Sequence, residues 1–339
     1  MILELMQMIR TIIRYSLLAL LICFALPSGT LAQTGKLPER KTYMYAMRDS
    51  VLYLDVYKPS NPREDKACVV ILFGGGFYLG TRDNLYIRQS AEPLVERGFT
   101  VISIDYRLGL RDRQLVAEHN SLFKYTAMFR KCIDMAIEDC SDAIDWICRN
   151  ADMLDVNPDR IVLTGNSAGA VTVLELDHAR ANSQPAASSL PQGWMPAAVV
   201  PYAGGLLCKK KDLKYKTPPA PTLMFHGTKD KIVSYKTFGM PFQPKMRGAN
   251  RIDKVMDKQN FSHWTIRCEG NYHEVSCWLP GSTDIFCSFV EMAFDKRPST
   301  LDATLNEADI PTNRWTGKNI FDLYLKNESK NANSPTEIY

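Results

Sequence analysis

The chain has 339 residues, 45% hydrophobic and 23% charged, with a formal net charge of +4. That balance is globular: it can bury a sizeable core, and it excludes wholesale disorder. The one short basic run, Lys209-Lys210-Lys211, has no aromatic interleaving and reads as a solvated loop, so no nucleic-acid partner is expected.

The first 32 residues read as an export signal. Arg10 and Arg14 precede an apolar run over residues 17–26, and Pro27, Ser28 and Gly29 follow. Thr30-Leu31-Ala32 then offers small residues at the −3 and −1 positions before Gln33. A retained membrane anchor is the rival reading. A span needs about 20 apolar residues, and Arg14 cuts this run short. Ile22 before Cys23 argues against a lipoprotein signal. The expectation is an exported protein, periplasmic or secreted, with no membrane span after cleavage.

The mature part then holds eight cysteines, and an even count in an exported chain permits disulfides. No C-x-x-C occurs and no histidine stands at zinc-finger spacing, so neither metal nor cofactor is expected.

Strand-like and helix-like segments alternate from there. Residues 42–57 read as two extended segments with a turn near Asp49-Ser50. Residues 68–73 form a continuous apolar run, which suits a buried strand. A helix is expected over 85–96, with Gly98 as its stop signal. A strand over 99–106 and a helix over 136–150 follow, the helix placing Cys140, Ala143, Ile144, Ile147 and Cys148 on one face. Residues 161–164 are a strand and 168–180 a helix. Further strands are expected over 197–202, 222–225 and 263–267, with a closing helix over 284–294. Such alternation predicts a mostly parallel sheet covered on both faces. Ligands then bind beyond the carboxyl ends of the strands. One domain over 33–296 is expected, with a polar C-terminal tail over 297–339 and no internal repeat.

Gly165-Asn166-Ser167-Ala168-Gly169 matches G-x-S-x-G. An apolar strand leads in and a helix-compatible run leads out, the setting in which this motif exposes a nucleophilic serine on a strained turn. Phe73-Gly74-Gly75-Gly76-Phe77 directly follows the strand over 68–73. Without a Cβ, backbone N–H groups can approach a reacting carbonyl oxygen closely. Gly75, Gly76 and Ala168 are the candidate oxyanion donors. A phosphate-binding reading wants G-x-G-x-x-G or a P-loop lysine, and neither is present.

Together these motifs resemble a known family. The G-G-G-F-Y core over 74–78 is similar to the oxyanion loop of carboxylesterases and cholinesterases, and G-N-S-A-G-A to their nucleophile elbow. Asp105-Tyr106-Arg107 resembles the D-Y-R of hormone-sensitive-lipase-like and bacterial feruloyl or acetyl esterases. The likeness runs from about Tyr43 to Ala293. Phe73 departs from the many short bacterial members, which carry His there. The resemblance implies the α/β-hydrolase fold and serine-esterase chemistry on small carboxylic esters, acetyl or feruloyl esters of plant sugars among them.

A serine nucleophile needs a base. His178 lies 11 residues past Ser167 on the same expected helix, at about 1.5 Å per residue too far to share a proton. His263 starts a strand, at the wrong end of the sheet. His119 lies in an irregular stretch and stays open. His226 ends a strand and suits a packed role, bracing the next loop. His273 follows its strand by a short loop, where the resembled superfamily places its base. Asp230, in His226-Gly227-Thr228-Lys229-Asp230, resembles that superfamily's acid loop. The order Ser167, Asp230, His273 is the one this fold uses. Glu274, next to the base on an extended chain, points away from it. An imidazole base implies an acid limb between about pH 6 and 7. Phe77, Tyr78, Tyr272 and Trp278 flank these residues, as substrate-binding walls or as core. Cys268 and Cys277 bracket His273, and a bridge between them would clamp its loop.

Two other readings remain. One is a serine peptidase of prolyl-oligopeptidase type, although fewer than 40 mature residues precede the strand at 68–73. The other is a non-catalytic binding protein on a hydrolase scaffold.

Overall fold

The computed structural model describes residues 40–119 and 121–306, the side chains of residues 122 and 123 excepted. The leader expected over residues 1–32 lies outside the described residues, as does the chain beyond residue 306.

Two sheets form. β1 (Arg40–Met47) and β2 (Val51–Tyr57) make an antiparallel hairpin across the Asp49-Ser50 turn. β3 (Cys68–Leu72), β4 (Thr100–Ile104), β5 (Ile161–Asn166), β6 (Ala198–Tyr202), β8 (Thr222–Gly227), β11 (His263–Cys268) and β12 (Thr300–Leu305) complete a nine-stranded sheet. Its order is β1-β2-β4-β3-β5-β6-β8-β11-β12. From β4 to β12 every pairing is parallel. β7 (Gly205–Cys208), β9 (Thr237–Phe238) and β10 (Lys245–Gly248) form a small antiparallel sheet in the order β7-β10-β9.

β3, β4, β5, β6 and β8 are buried along their whole length. Their apolar runs follow from that: a strand covered by helices on both faces has no solvent side to make polar. The hairpin strand β1, by contrast, alternates buried Thr42 and Tyr45 with exposed positions.

The helices are α1 (Leu85–Glu96), α2 (Arg113–Glu118), α3 (Leu122–Arg149), α4 (Ala151–Leu154), α5 (Ala168–Ala181), α6 (Ala249–Lys258) and α7 (Thr283–Phe294). α1 starts where the Asn84 side chain accepts from the Ile87 N–H. α3 packs on α5, which lies along β5 and β6. α5 is buried on nearly every side; its apolar residues pack into the core, and its buried Glu175 and Asp177 are paired with Arg130 and Arg180. Among the described residues no helix is long and apolar enough to cross a membrane.

Several elements differ from the sequence expectation, α3, α6 and β12 among them. α3 begins at Leu122 rather than near residue 136, because its first half buries only a narrow stripe, including Met128, Cys132 and Ile133. α6 went unrecognised, since its buried apolar side chains are few: Ala249, Ile252 and Met256. β12 falls inside the segment expected to be a polar tail. It is an edge strand held by its backbone ladder to β11 and by the Arg267–Asp302 ion pair, with Thr300, Leu301 and Asp302 exposed. Edge strands owe little to apolar burial, so polar composition hid it.

Candidate active site

Ser167 stands between the end of β5 and the start of α5, with φ +52° and ψ −115°. A non-glycine residue there is strained, and such strain collects at functional turns. Its neighbours explain how the turn closes. A Cβ on Gly169 would lie 2.2 Å from the Leu72 carbonyl oxygen, and one on Gly165 2.6 Å from the Gly169 backbone. Both glycines are therefore demanded by close approach to the end of β3. The Ser167 N–H donates to the Tyr202 carbonyl at 3.0 Å, tying the turn to β6.

His273 and Asp230 follow β11 and β8, which lie side by side. His273 Nε2 is 2.8 Å from Ser167 Oγ. His273 Nδ1 is 2.7 Å from Asp230 Oδ2. With Nδ1–H donating to the carboxylate, Nε2 is left to accept from the serine hydroxyl. Asp230 Oδ1 accepts from the Ile232 and Val233 N–H groups at 2.9 and 3.1 Å. All three side chains are largely buried. Burial pushes the Asp230 carboxyl up. Its hydrogen-bonding contacts with the His226 and His273 rings outweigh that and hold the group at about 2.

The two loops are laced together. The Thr228 N–H donates to the Cys268 carbonyl, the Lys229 N–H to the Asn271 carbonyl, and the Gly270 N–H to Thr228 Oγ1. Glu274 lies in a short 3₁₀ turn, His273–Cys277, rather than on an extended chain. Its Oε1 accepts from Tyr272 N–H and Asn271 Nδ2, so it braces the loop.

Of the other histidines, His226 also reaches the site, its Nε2 3.4 Å from Asp230 Oδ2, while the remaining three are held by other groups. His178 Nε2 contacts the Asp212 and Lys214 carbonyls. His119 Nδ1 contacts the Leu115 carbonyl. His263 Nδ1–H donates to the Phe261 carbonyl at the start of β11. His226 Nε2–H donates to the Val233 carbonyl at 2.8 Å, holding the loop that carries Asp230.

Gly74, Gly75 and Gly76 directly follow β3. Gly75 has φ +115° and Gly76 φ +65°, the region that favours glycine. A Cβ on Gly75 would meet the Leu79 carbonyl oxygen at 2.1 Å. Ala168 is the first residue of α5, where a helix N–H has no partner within the helix. A cavity of about 710 Å³ is lined by Tyr78 and Leu79, which follow the glycines in sequence, with Leu110, Arg111, Arg113 and Val116; neither the glycines nor the triad residues line it.

The four flanking aromatics divide. Tyr78 lines that cavity, and Tyr272 is exposed with Lys229 Nζ 5.9 Å from its ring. Phe77 and Trp278 are core instead, 2% and 3% exposed. Phe77 packs edge-on to Tyr106 and Phe129, and Trp278 edge-on to Phe225. Cys268 carries a free thiol, so the bridge to Cys277 is not formed.

Sequence reasoning gave Tyr106 and Tyr202 no role. The Tyr106 hydroxyl donates to the Phe73 carbonyl at 2.7 Å, holding the start of the glycine loop. Its neighbours in the D-Y-R motif anchor the end of β4: Asp105 accepts from Arg82 at 2.7 Å, and Arg107 grips Asp139 and Glu138 at 2.9 and 2.8 Å. The motif was visible; the one-carbonyl support supplied by Tyr106 has no spacing signature.

The family model described as BD-FAE matches residues 54–120 and 121–183. Among curated proteins the chain is similar to lipase 1 of Geotrichum candidum, 26% identical over 138 residues, or 38% of this chain and 22% of the lipase. It is 30% identical over 131 residues to acetylcholinesterase 1 of Caenorhabditis elegans, covering 38% of this chain and 19% of that one. It is 26% identical over 129 residues to the para-nitrobenzyl esterase of Bacillus subtilis, covering 38% and 24%. The chain thus spans about a quarter or less of the length of these relatives. Among solved structures, Thermogutta terrifontis esterase 2 phosphonylated by cyclosarin superposes with a TM-score of 0.52 at 20% identity, over 79% of this chain and 96% of that one. Its apo form gives 0.51 at 21% identity, over 78% and 96%. At that identity the likeness speaks for the fold.

Proposed function

The chain is an α/β-hydrolase-fold protein, and on that fold we propose that it is a serine carboxylic-ester hydrolase acting through an acyl-enzyme. The observation that carries the reading is the unbroken chain of contacts from Ser167 Oγ through His273 to Asp230, at 2.8 and 2.7 Å.

In the proposed mechanism the Ser167 oxygen attacks the ester carbonyl as its proton passes to His273 Nε2. Asp230 fixes the imidazole tautomer and balances the positive charge that forms. The oxyanion is held by N–H groups of Gly75, Gly76 and Ala168, with the N-terminal end of α5 behind it. His273 then protonates the departing alcohol. Water, deprotonated by the same nitrogen, releases the acid and restores Ser167.

The substrate is read as a small ester entering beside the glycine loop. The Tyr78 ring with Leu79, Leu110 and Val116 suits an aryl or short acyl group, including acetyl or feruloyl groups on sugars. Export through residues 1–32 belongs to the same proposal. A panel of acetyl, longer-chain and feruloyl esters tests it: turnover by the wild type and none by Ser167→Ala supports the reading, and equal turnover by both sinks it.

A further inference from the structure

The geometry points to a divalent-metal site formed by Asp253, Asp257 and His263, at the N-terminal end of β11, taking an ion of the zinc or cobalt class.

The donors come from two adjoining elements. Asp253 and Asp257 stand one helical turn apart on α6, and His263 opens β11. One oxygen from each carboxylate and a ring nitrogen all lie within 4.8 Å of one another. His263 Nε2 is 3.4 Å from Asp253 Oδ1 and 3.4 Å from Asp257 Oδ1. Ligands about 2.0–2.2 Å from a tetrahedral ion sit roughly 3.4 Å apart, the same separation. A mixed nitrogen and carboxylate set suits zinc, cobalt or manganese better than calcium or magnesium, which take oxygen alone.

The imidazole supplies the independent observation. His263 is 1% exposed, and among the described residues its buried Nε2 has no hydrogen-bond partner beyond the two carboxylates 3.4 Å away. Its Nδ1–H donates to the Phe261 carbonyl at 2.8 Å, which turns Nε2 toward the two carboxylates. A backbone carbonyl fixing the far ring nitrogen is the usual support of a metal-bound histidine. Asp253 is held likewise: Thr265 Oγ1 donates to its Oδ1 at 2.7 Å and Arg267 Nη2 to its Oδ2 at 2.8 Å. A carboxylate oxygen that accepts one hydrogen bond retains a second lone pair for an ion.

Asp257 is more than half exposed, so the ion reaches solvent there and water completes its shell. The site lies at the opposite end of β11 from the loop carrying His273, about 17 Å along the strand at the usual rise. Its role is therefore structural: it clamps α6 to β11 and takes no part in the ester chemistry. The sequence pattern is Asp-x3-Asp-x5-His, which no finger-type cysteine search would reveal.

The test uses the full chain stripped with EDTA and titrated with cobalt(II) at fixed neutral pH. The expected result is visible d–d absorption without a thiolate charge-transfer band, and a Tm rise of roughly 3 °C or more. Both are lost in Asp257→Asn, whose ester turnover below Tm equals the wild type's. A wild type whose Tm ignores millimolar cobalt and zinc overturns the site. So does an equal response in Asp257→Asn, which would put the ion elsewhere, and so does a thiolate band, which would put it on cysteine.

Discussion

The Tyr106 hydroxyl donates to the Phe73 carbonyl at 2.7 Å while the two rings stack with centroids 4.4 Å apart. That pair links the end of β4 to the first residue after β3, and so sets where the Gly75 and Gly76 N–H groups lie. Tyr106→Phe keeps the stack and removes the hydrogen bond. The expected stability cost is modest, about 1 kcal/mol. The expected kcat falls, by less than the ~10²–10³ that follows loss of a whole oxyanion donor. KM changes little. Steady-state kinetics beside thermal melts check this, and an unchanged kcat would remove the positioning role.

Gly227 tests the seam between the two loops. A Cβ there would lie 2.1 Å from the Tyr272 carbonyl oxygen and 2.6 Å from that of Asn271. Gly227→Ala must therefore displace the loop just ahead of His273. A misplacement of about 1 Å at a catalytic group costs on the order of 10²-fold. The expected outcome is a kcat lowered by about that factor with KM nearly unchanged; wild-type kcat would contradict it.

Asp230 makes a pH prediction whose sign is fixed. Its folded value, about 2, lies below the ordinary carboxylate value of about 3.9. The carboxylate therefore stabilises the fold above about pH 4, and that contribution is lost as pH falls towards 2. Asp230→Asn is expected to be less stable than the wild type above pH 5, with the gap closing in acid. Chemical denaturation at a series of pH values measures this. Across the working pH range Asp230 stays ionised, so the acid limb of kcat reports the base, not the acid. Asp230→Asn should lose about 10⁴ in kcat at neutral pH, because the imidazole then holds the wrong tautomer.

Much of the fold was readable because its central strands are buried on both faces. Runs such as Cys68-Val69-Val70-Ile71-Leu72 and Ile161-Val162-Leu163 can be little else. Ser167 and Asp230 follow such strands and His273 follows the partly buried β11; the three were legible as a set through the family resemblance and its Ser, Asp, His order. What escaped was held by backbone or by narrow contacts. β12 is a ladder on an edge, α6 buries few apolar side chains, and β7, β9 and β10 form a small sheet with little core of its own. Phe77 and Trp278 flank site residues in sequence yet pack inward, since neighbours along a turn face different ways.

The central claim is that Ser167 is the nucleophile. The most direct measurement is labelling with a fluorophosphonate probe, followed by peptide mass mapping. The account predicts one label per chain, on the peptide bearing Ser167, none in Ser167→Ala, and slow labelling in His273→Ala. No labelling of the wild type, or equal labelling of Ser167→Ala, would contradict it.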